Sequence, residues 1–237
     1  MFNGCNSLTT LDISGWKLNS TNYSSFFYGC YKLESVNISG FDFSNCTTLA
    51  SMFAYCYSLK TITCPNTWNT SNVTTMAGMF NSCYSLTSIP INFTSWDYSK
   101  VTTIADMFAN CQSLKSIDLT GLSLPLCTTI ATLFNYDYAL EEVKWSGWSI
   151  PKVTSTAPGR ILGDCWSLRK MTGFPPIKLA FSMANTYSFP AEEWEELFTN
   201  LSTTTTARTI NMWTNNINKL TATQKAIATN KGWTLAN

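Results

Sequence analysis

One phrase of thirteen positions, Met-Phe-x-x-Cys-x-x-Leu-x-x-Leu-x-Leu, constrains this chain more than any other feature, because it returns seven times in phase. It reads Met1-Phe2…Cys5…Leu8…Leu11…Ile13, then Phe26-Phe27…Cys30…Leu33…Val36…Ile38. Met52-Phe53…Cys56…Leu59…Ile62, Met79-Phe80…Cys83…Leu86…Ile89…Ile91 and Met107-Phe108…Cys111…Leu114…Ile117…Leu119 follow. Two looser copies close the series. Leu133-Phe134…Asp137…Leu140…Val143…Trp145 puts Asp in the cysteine slot, and Ile161-Leu162…Cys165…Leu168…Met171 loses the Phe. Cysteine-slot positions are 25, 26, 27, 28, 26 and 28 residues apart. A fixed period of this size belongs to stacked repeats, in which each unit buries its apolar side only against its neighbours.

The end of the phrase alternates, so Leu11 and Ile13 face one way while Thr10 and Asp12 face the other. Stacking such strands in parallel gives one sheet and one continuous core. A polar connection precedes each Met-Phe, as in Asn72-Val73-Thr74-Thr75-Met76. Val73, Met76, Met79 and Phe80 recur at offsets of three and four, as do Val101, Ile104, Met107 and Phe108. That spacing predicts a short helical turn packed on the back of the sheet.

From about Lys178 the period stops. Pro190 opens a predicted helix through Leu201, with Glu192 and Glu193 favourable in its first turn. Trp194, Leu197, Phe198 and Leu201 give it one apolar face. A strand is expected around Thr209–Trp213, a helix after the capping box Thr221-x-x-Gln224, and a helix stop at Gly232 before a last strand near Trp233–Leu235.

Copies of the form Met-Phe-x-x-Cys-x-Ser-Leu-x-x-Leu-Asp-Ile-Ser-Gly-Trp resemble the BspA-like leucine-rich repeats of bacterial surface proteins, over roughly residues 1–175. The Lys-Gly-Trp ending resembles that of many BspA-like chains. Related repeats also occur in phage-associated proteins. The resemblance implies an α/β repeat fold, a right-handed leucine-rich-repeat-like solenoid. One parallel β-sheet, short helical turns on the other side and an α+β C-terminal cap complete it. Residues 1–177 are expected to form about seven repeats of 25–28 residues, and residues 178–237 the capping region. It also implies adhesion to a host or neighbouring-cell component.

Charged residues make up only 12 % of the chain, about half the usual share, and the net charge is +1. No clustered basic footprint of the kind nucleic acid requires is present. No stretch reaches the roughly 20 apolar residues of a membrane span, and no basic-then-apolar leader opens the chain. The chain begins directly on repeat text, so it is expected to be part of a longer protein or assembly. There is no histidine, which removes the commonest general base and metal ligand. No P-loop, GxGxxG or Gly-x-Ser-x-Gly motif occurs. The carboxylates are either a helix face (Glu192, Glu193, Glu195, Glu196) or copies of one repeat slot (Asp12, Asp118). The expectation is a non-catalytic protein with no cofactor and no metal.

Three features remain as candidate contacts. The outward residues of the sheet, Thr10, Asp12, Ser35, Asn37, Thr61, Thr63, Ser88, Ser116, Asp118, Glu142 and Lys144, form the default binding face of a repeat protein, for a protein or a glycan; the bland alternative is a merely solvated face. Tyr31, Tyr57 and Tyr84 each follow a slot cysteine and are candidate aromatic contacts, against half-buried packing near turns. Trp16, Phe41, Trp68, Trp96 and Trp148 each follow a strand and read as a structural spine or as platforms for sugars. The nine cysteines read as free buried thiols: stacked side chains point in parallel, which leaves the Cβ atoms too far apart for relaxed disulfides. The location expected is extracellular, on a cell or virion surface, with a structural spacer or decoration protein as the rival reading.

Overall fold

The computed structural model describes residues 1–65, 68–89, 93–153, 160–176 and 180–237. Six strands of three residues recur at the repeat interval: β1 (Thr10–Asp12), β2 (Ser35–Asn37), β3 (Thr61–Thr63), β4 (Ser116–Asp118), β5 (Glu142–Lys144) and β6 (Lys170–Thr172). All pair in parallel, with Leu11 opposite Val36 and Val36 opposite Ile62, then Ile117 opposite Val143 and Val143 opposite Met171. In β2 to β6 the central apolar residue is buried and its two neighbours turn outward. This is the arrangement that the alternation in the phrase requires.

Among the described residues the single sheet expected from the period is seen as two ladders. Strands β1–β2–β3 and β4–β5–β6 are separate ladders, and Ser88 and Ile89 of the intervening coil belong to neither. The sequence puts Pro90, which has no N–H to donate, in the slot held by Asp12, Asn37 and Thr63; Pro90, Ile91 and Asn92 lie outside the described residues. The stack of coils itself continues across this point. Phe53 N donates to Met79 O, and Phe80 N to Met107 O, both at 2.9 Å.

The expected helical turns are a second correction. The segments around residues 23–30, 49–56, 76–83, 104–111 and 130–137 are runs of overlapping tight turns. Their N–H groups alternate in destination. Phe26, Tyr28 and Cys30 donate three residues back, to Tyr23, Ser25 and Phe27, while Tyr23, Ser25, Phe27 and Gly29 donate to Thr48, Ala50, Met52 and Ala54 of the next coil. Left-handed residues separate the turns, such as Ser51 (φ 54°) and Tyr55 (φ 62°), or Gly78 (φ 61°) and Ser82 (φ 60°). The physical reason is spacing. An α-helix is about 10 Å across, whereas these coils stack at the strand-like distance of about 4.8 Å. Flat turns fit that distance and pass half of their hydrogen bonds to the neighbour.

Stacking turns each repeat position into a column. Phe2, Phe27, Phe53, Phe80, Phe108 and Phe134 form one, with successive centroids 5.2–5.9 Å apart and planes within 8°. The slot cysteines form a second. Cys30, Cys56, Cys83, Cys111 and Cys165 each direct the thiol at the carbonyl of the column Phe one coil back, at 3.0–3.3 Å. All nine cysteines are free thiols, and only Cys5 and Cys64 are partly exposed. Burial holds the thiols of Cys83, Cys111 and Cys165 above their ordinary range and pushes Cys46 up to about 11. Since reaction needs a thiol that the reagent can reach, a disulfide reagent added to the native protein should modify the two partly exposed thiols first and the other seven only on unfolding. Replacing Cys5 and Cys64 with Ser should abolish the fast phase; rapid labelling of the slot cysteines would disprove the buried column.

Beyond residue 160 the turn column carries on. Asp164 N donates to Ala184 O at 2.8 Å, and Asn185 takes the left-handed conformation (φ 64°) that Asp164 has in its own coil (φ 59°). Thr186 thereby occupies the cysteine slot. On this side a third parallel ladder forms, from β7 (Phe181–Met183), β8 (Arg208–Met212) and β9 (Trp233–Ala236). Helix α1 (Ala191–Asn200) starts after Pro190 and buries Trp194, Leu197 and Phe198. Helix α2 (Thr214–Lys219) was not foreseen from the sequence. Helix α3 (Ala222–Thr229) has both hydrogen bonds of the Thr221/Gln224 capping box, and Gly232 has φ 84°. The expected boundary between residues 177 and 178 falls outside the described residues.

Candidate functional site

Parallel pairing aligns the outward side chains in rows. On the first ladder Thr10, Ser35 and Thr61 make one row and Asp12, Asn37 and Thr63 the other. On the second, Ser116, Glu142 and Lys170 run beside Asp118, Lys144 and Thr172. All eleven candidate face residues are exposed or half-exposed, Ser88 included. Lys170 and Thr172 belong to the same face but were missed, although they flank Met171 as Ser35 and Asn37 flank Val36.

The face splits into two kinds of side chain. Asp12, Asn37 and Asp118 are engaged at the corner after the strand, where their Oδ1 atoms accept from the N–H of Ser14, Ser39 and Thr120 at 2.9, 3.1 and 2.9 Å. Hydrogen bonds from Ser14 and from Thr120 hold the carboxyls of Asp12 and Asp118 below the usual range. Charges on the second ladder are paired in place: Lys170 with Glu142 at 3.2 Å, and Lys144 with Asp118 at 3.9 Å. Such exposed pairs contribute about 0–1 kcal/mol each and cancel each other's field. The hydroxyls of Thr10, Ser35, Thr61, Thr63, Ser88 and Ser116 donate to no other described residue. They are the hydrogen-bonding groups that this face leaves free.

The tyrosines border this face, at the corner that leads into each strand. Tyr31 and Tyr57 stack at 4.9 Å and 8°, Tyr57 and Tyr84 at 4.5 Å and 5°. Gln112 interrupts the row, its amide turned to Asn110 Oδ1 at 2.8 Å. The row resumes with Tyr138 on Trp166 (4.2 Å, 31°), Trp166 near Tyr187 (6.2 Å, 35°) and Tyr187 edge-on to Trp213 (4.7 Å, 74°). Trp166 is 44 % exposed and Tyr187 39 %. Neither was singled out from the sequence. Trp166 could have been, since it follows Cys165 as Tyr31 follows Cys30. Within the parallel stack the ring faces cover one another, so the row offers ring edges and hydroxyls to solvent rather than open platforms.

The strand-following aromatic series is structural. Phe41, Trp68, Trp96 and Trp148 are buried. Trp68 stacks on Phe43 at 4.0 Å and on Trp96 at 4.9 Å. Only Trp16, at 41 %, is exposed. Among the described residues no group of three or more Cys, Asp or Glu side chains is placed to hold a metal ion, and no helix is long and apolar enough to cross a membrane.

Comparison with known proteins agrees with these repeats. A family model described as "Mycoplasma protein of unknown function, DUF285" matches residues 1–122. A second, described as "BspA type Leucine rich repeat region", matches residues 78–173 in six copies. Among solved structures, a leucine-rich repeat protein of T. pallidum is similar at 18 % identity, over 80 % of this chain and 75 % of that one, with a TM-score of 0.47. No curated protein matches the chain. The first model spans just over half of the sequence, so the chain belongs to the family described as Mycoplasma protein of unknown function, DUF285, and it carries BspA-type leucine-rich repeats.

Proposed function

We propose that this protein is a non-catalytic adhesion or receptor-binding module of a cell or virion surface, recognising a protein or glycan through its sheet face. The observation that carries this reading is the exposed face of unpartnered hydroxyls, Thr10, Ser35, Thr61 and Thr63 in register on one ladder with Ser88 and Ser116 beyond it, bordered by the stacked tyrosines Tyr31, Tyr57 and Tyr84. Hydroxyls at a fixed spacing supply directional donors and acceptors, and tyrosine supplies contact area with little entropy to lose. Repeat proteins use such extended faces for binding. The finer architecture belongs to the same proposal: a right-handed winding, as parallel crossovers favour, a repeat region through about residue 177, and residues 178–237 shielding the last coil of the core.

The test is a glycan array and a host-cell binding assay with the wild type and a Thr61→Arg, Thr63→Arg, Ser88→Arg triple variant. Binding should weaken about tenfold or more, the effect of losing contacts worth about 1.4 kcal/mol, while circular dichroism stays unchanged. Undiminished binding by the triple variant rules out the sheet face. Binding to no cell and no glycan sinks the adhesin reading and favours a spacer or decoration protein. The corner duties of Asp12, Asn37 and Asp118 fit that second reading, because they occupy part of the face with purely local bonds.

A further inference from the structure

The cysteine column contains one carboxyl group. Asp137 holds the slot that Cys30, Cys56, Cys83, Cys111 and Cys165 hold in other coils, and it is completely buried. Its Oδ1 accepts the Cys111 N–H at 2.6 Å. Its Oδ2 is buried and has no hydrogen-bond partner. In the five cysteine coils the slot side chain donates to the carbonyl of the column Phe one coil back; the next coil donates in the same way, Cys165 to Phe134 O at 3.0 Å. For Asp137 the equivalent acceptor is the Phe108 carbonyl. A carboxylate there would set a lone pair against a lone pair in a buried site. A carboxylic acid has one acceptor for Cys111 and one hydroxyl for Phe108, which matches what the slot presents.

We propose that Asp137 is a neutral acid at physiological pH, its Oδ2–H donating to the Phe108 carbonyl in place of the cysteine thiol, and that ionising it loosens the contact between the coils of Phe108 and Phe134. The Cys111 and Asn110 N–H groups favour the anion, but burial outweighs both. Cys111 lies on one side of Asp137 and Cys165 on the other, both with thiols that burial holds protonated. The cation Arg160 in the next coil is bound to Asp164 at 2.6 Å. The neighbouring Asn135 is a neutral amide with a buried, unpartnered Oδ1, and Asn110 is neutral as well. Burial pushes the carboxyl of Asp137 well above the usual carboxylate range.

The sign follows from linkage. An acid whose pKa is higher folded than unfolded contributes its full stability below the unfolded value of about 4, and that contribution is lost as pH rises to the folded value. The test is urea unfolding of the wild type, Asp137→Cys and Asp137→Asn from about pH 4 to about pH 9. Relative to both variants, the folding equilibrium of the wild type should fall with pH, by at most about tenfold per pH unit for one proton. An infrared spectrum at neutral pH should show a protonated-carboxyl band that Asp137→Asn lacks. That band serves even if Asp137→Cys fails to fold, because asparagine keeps both hydrogen bonds. A pH-independent difference between wild type and Asp137→Asn, or the absence of the band, overturns the proposal.

Discussion

Replacing Phe80 with alanine should lower stability by about 3–5 kcal/mol, whereas the same change at Phe2 should cost about 1–2 kcal/mol. Both rings belong to one column but differ in what surrounds them. Phe80 is fully buried and lies between Phe53 and Phe108, at 5.7 and 5.9 Å with planes within 3°. Removing it leaves a cavity and breaks two stacked pairs, each contributing about 0.5–1.5 kcal/mol beyond burial. Phe2 is only partly buried and has one column neighbour, Phe27. In a stack where each coil touches only the next, losing an interior contact also uncouples the coils on its two sides. Phe80→Ala should therefore broaden urea unfolding or split it into two steps, while Phe2→Ala shifts a single transition. Equal losses at the two positions would mean that the column does not carry coil-to-coil stability.

How far the fold could be read from the sequence differed from position to position. Leu-x-x-Leu-x-Leu ends in an alternation that only a strand satisfies, so the outward face was legible down to single residues such as Thr61 and Thr63. The turn side was not. Apolar residues at offsets of three and four suit a helix, but they suit overlapping three-residue turns equally. The left-handed backbone that separates the two cases sits on Ser51, Tyr55, Ser82 and Asn110, none of which announces it as glycine would. The aromatic edge was half legible. Tyr31, Tyr57 and Tyr84 follow a cysteine at the regular interval, but Tyr187 follows Thr186, only 21 residues after Cys165, so the row could not be traced by period. Asp137 was visible as an odd member of its slot. That its second oxygen has no hydrogen-bond partner depends on packing between coils, which the sequence does not display.

Gly40 and Gly15 test the close approach of coils directly. They occupy the same corner after a strand, in Ser39-Gly40-Phe41 and Ser14-Gly15-Trp16, and neither needs a left-handed backbone. A Cβ on Gly40 would lie 2.2 Å from Ser14 O and 2.5 Å from Trp16 O, whereas a Cβ on Gly15 would meet nothing within 4 Å. The obstacle at Gly40 is thus the backbone of the preceding coil, which cannot swing aside as a flexible side chain would. Relief requires the two coils to part, and that strains the Ile13–Asn37 hydrogen bond (3.0 Å) beside the corner. Gly40→Ala should cost about 1–3 kcal/mol or more. Gly15→Ala should instead stabilise by about 0.4–1 kcal/mol, by restricting the unfolded chain alone. The two changes are chemically identical, so opposite signs in thermal or urea unfolding would isolate the coil-to-coil contact. If both variants shifted stability alike, the corner glycines would be acting through their own backbone freedom, and the tight stacking of these coils would not be what selects them.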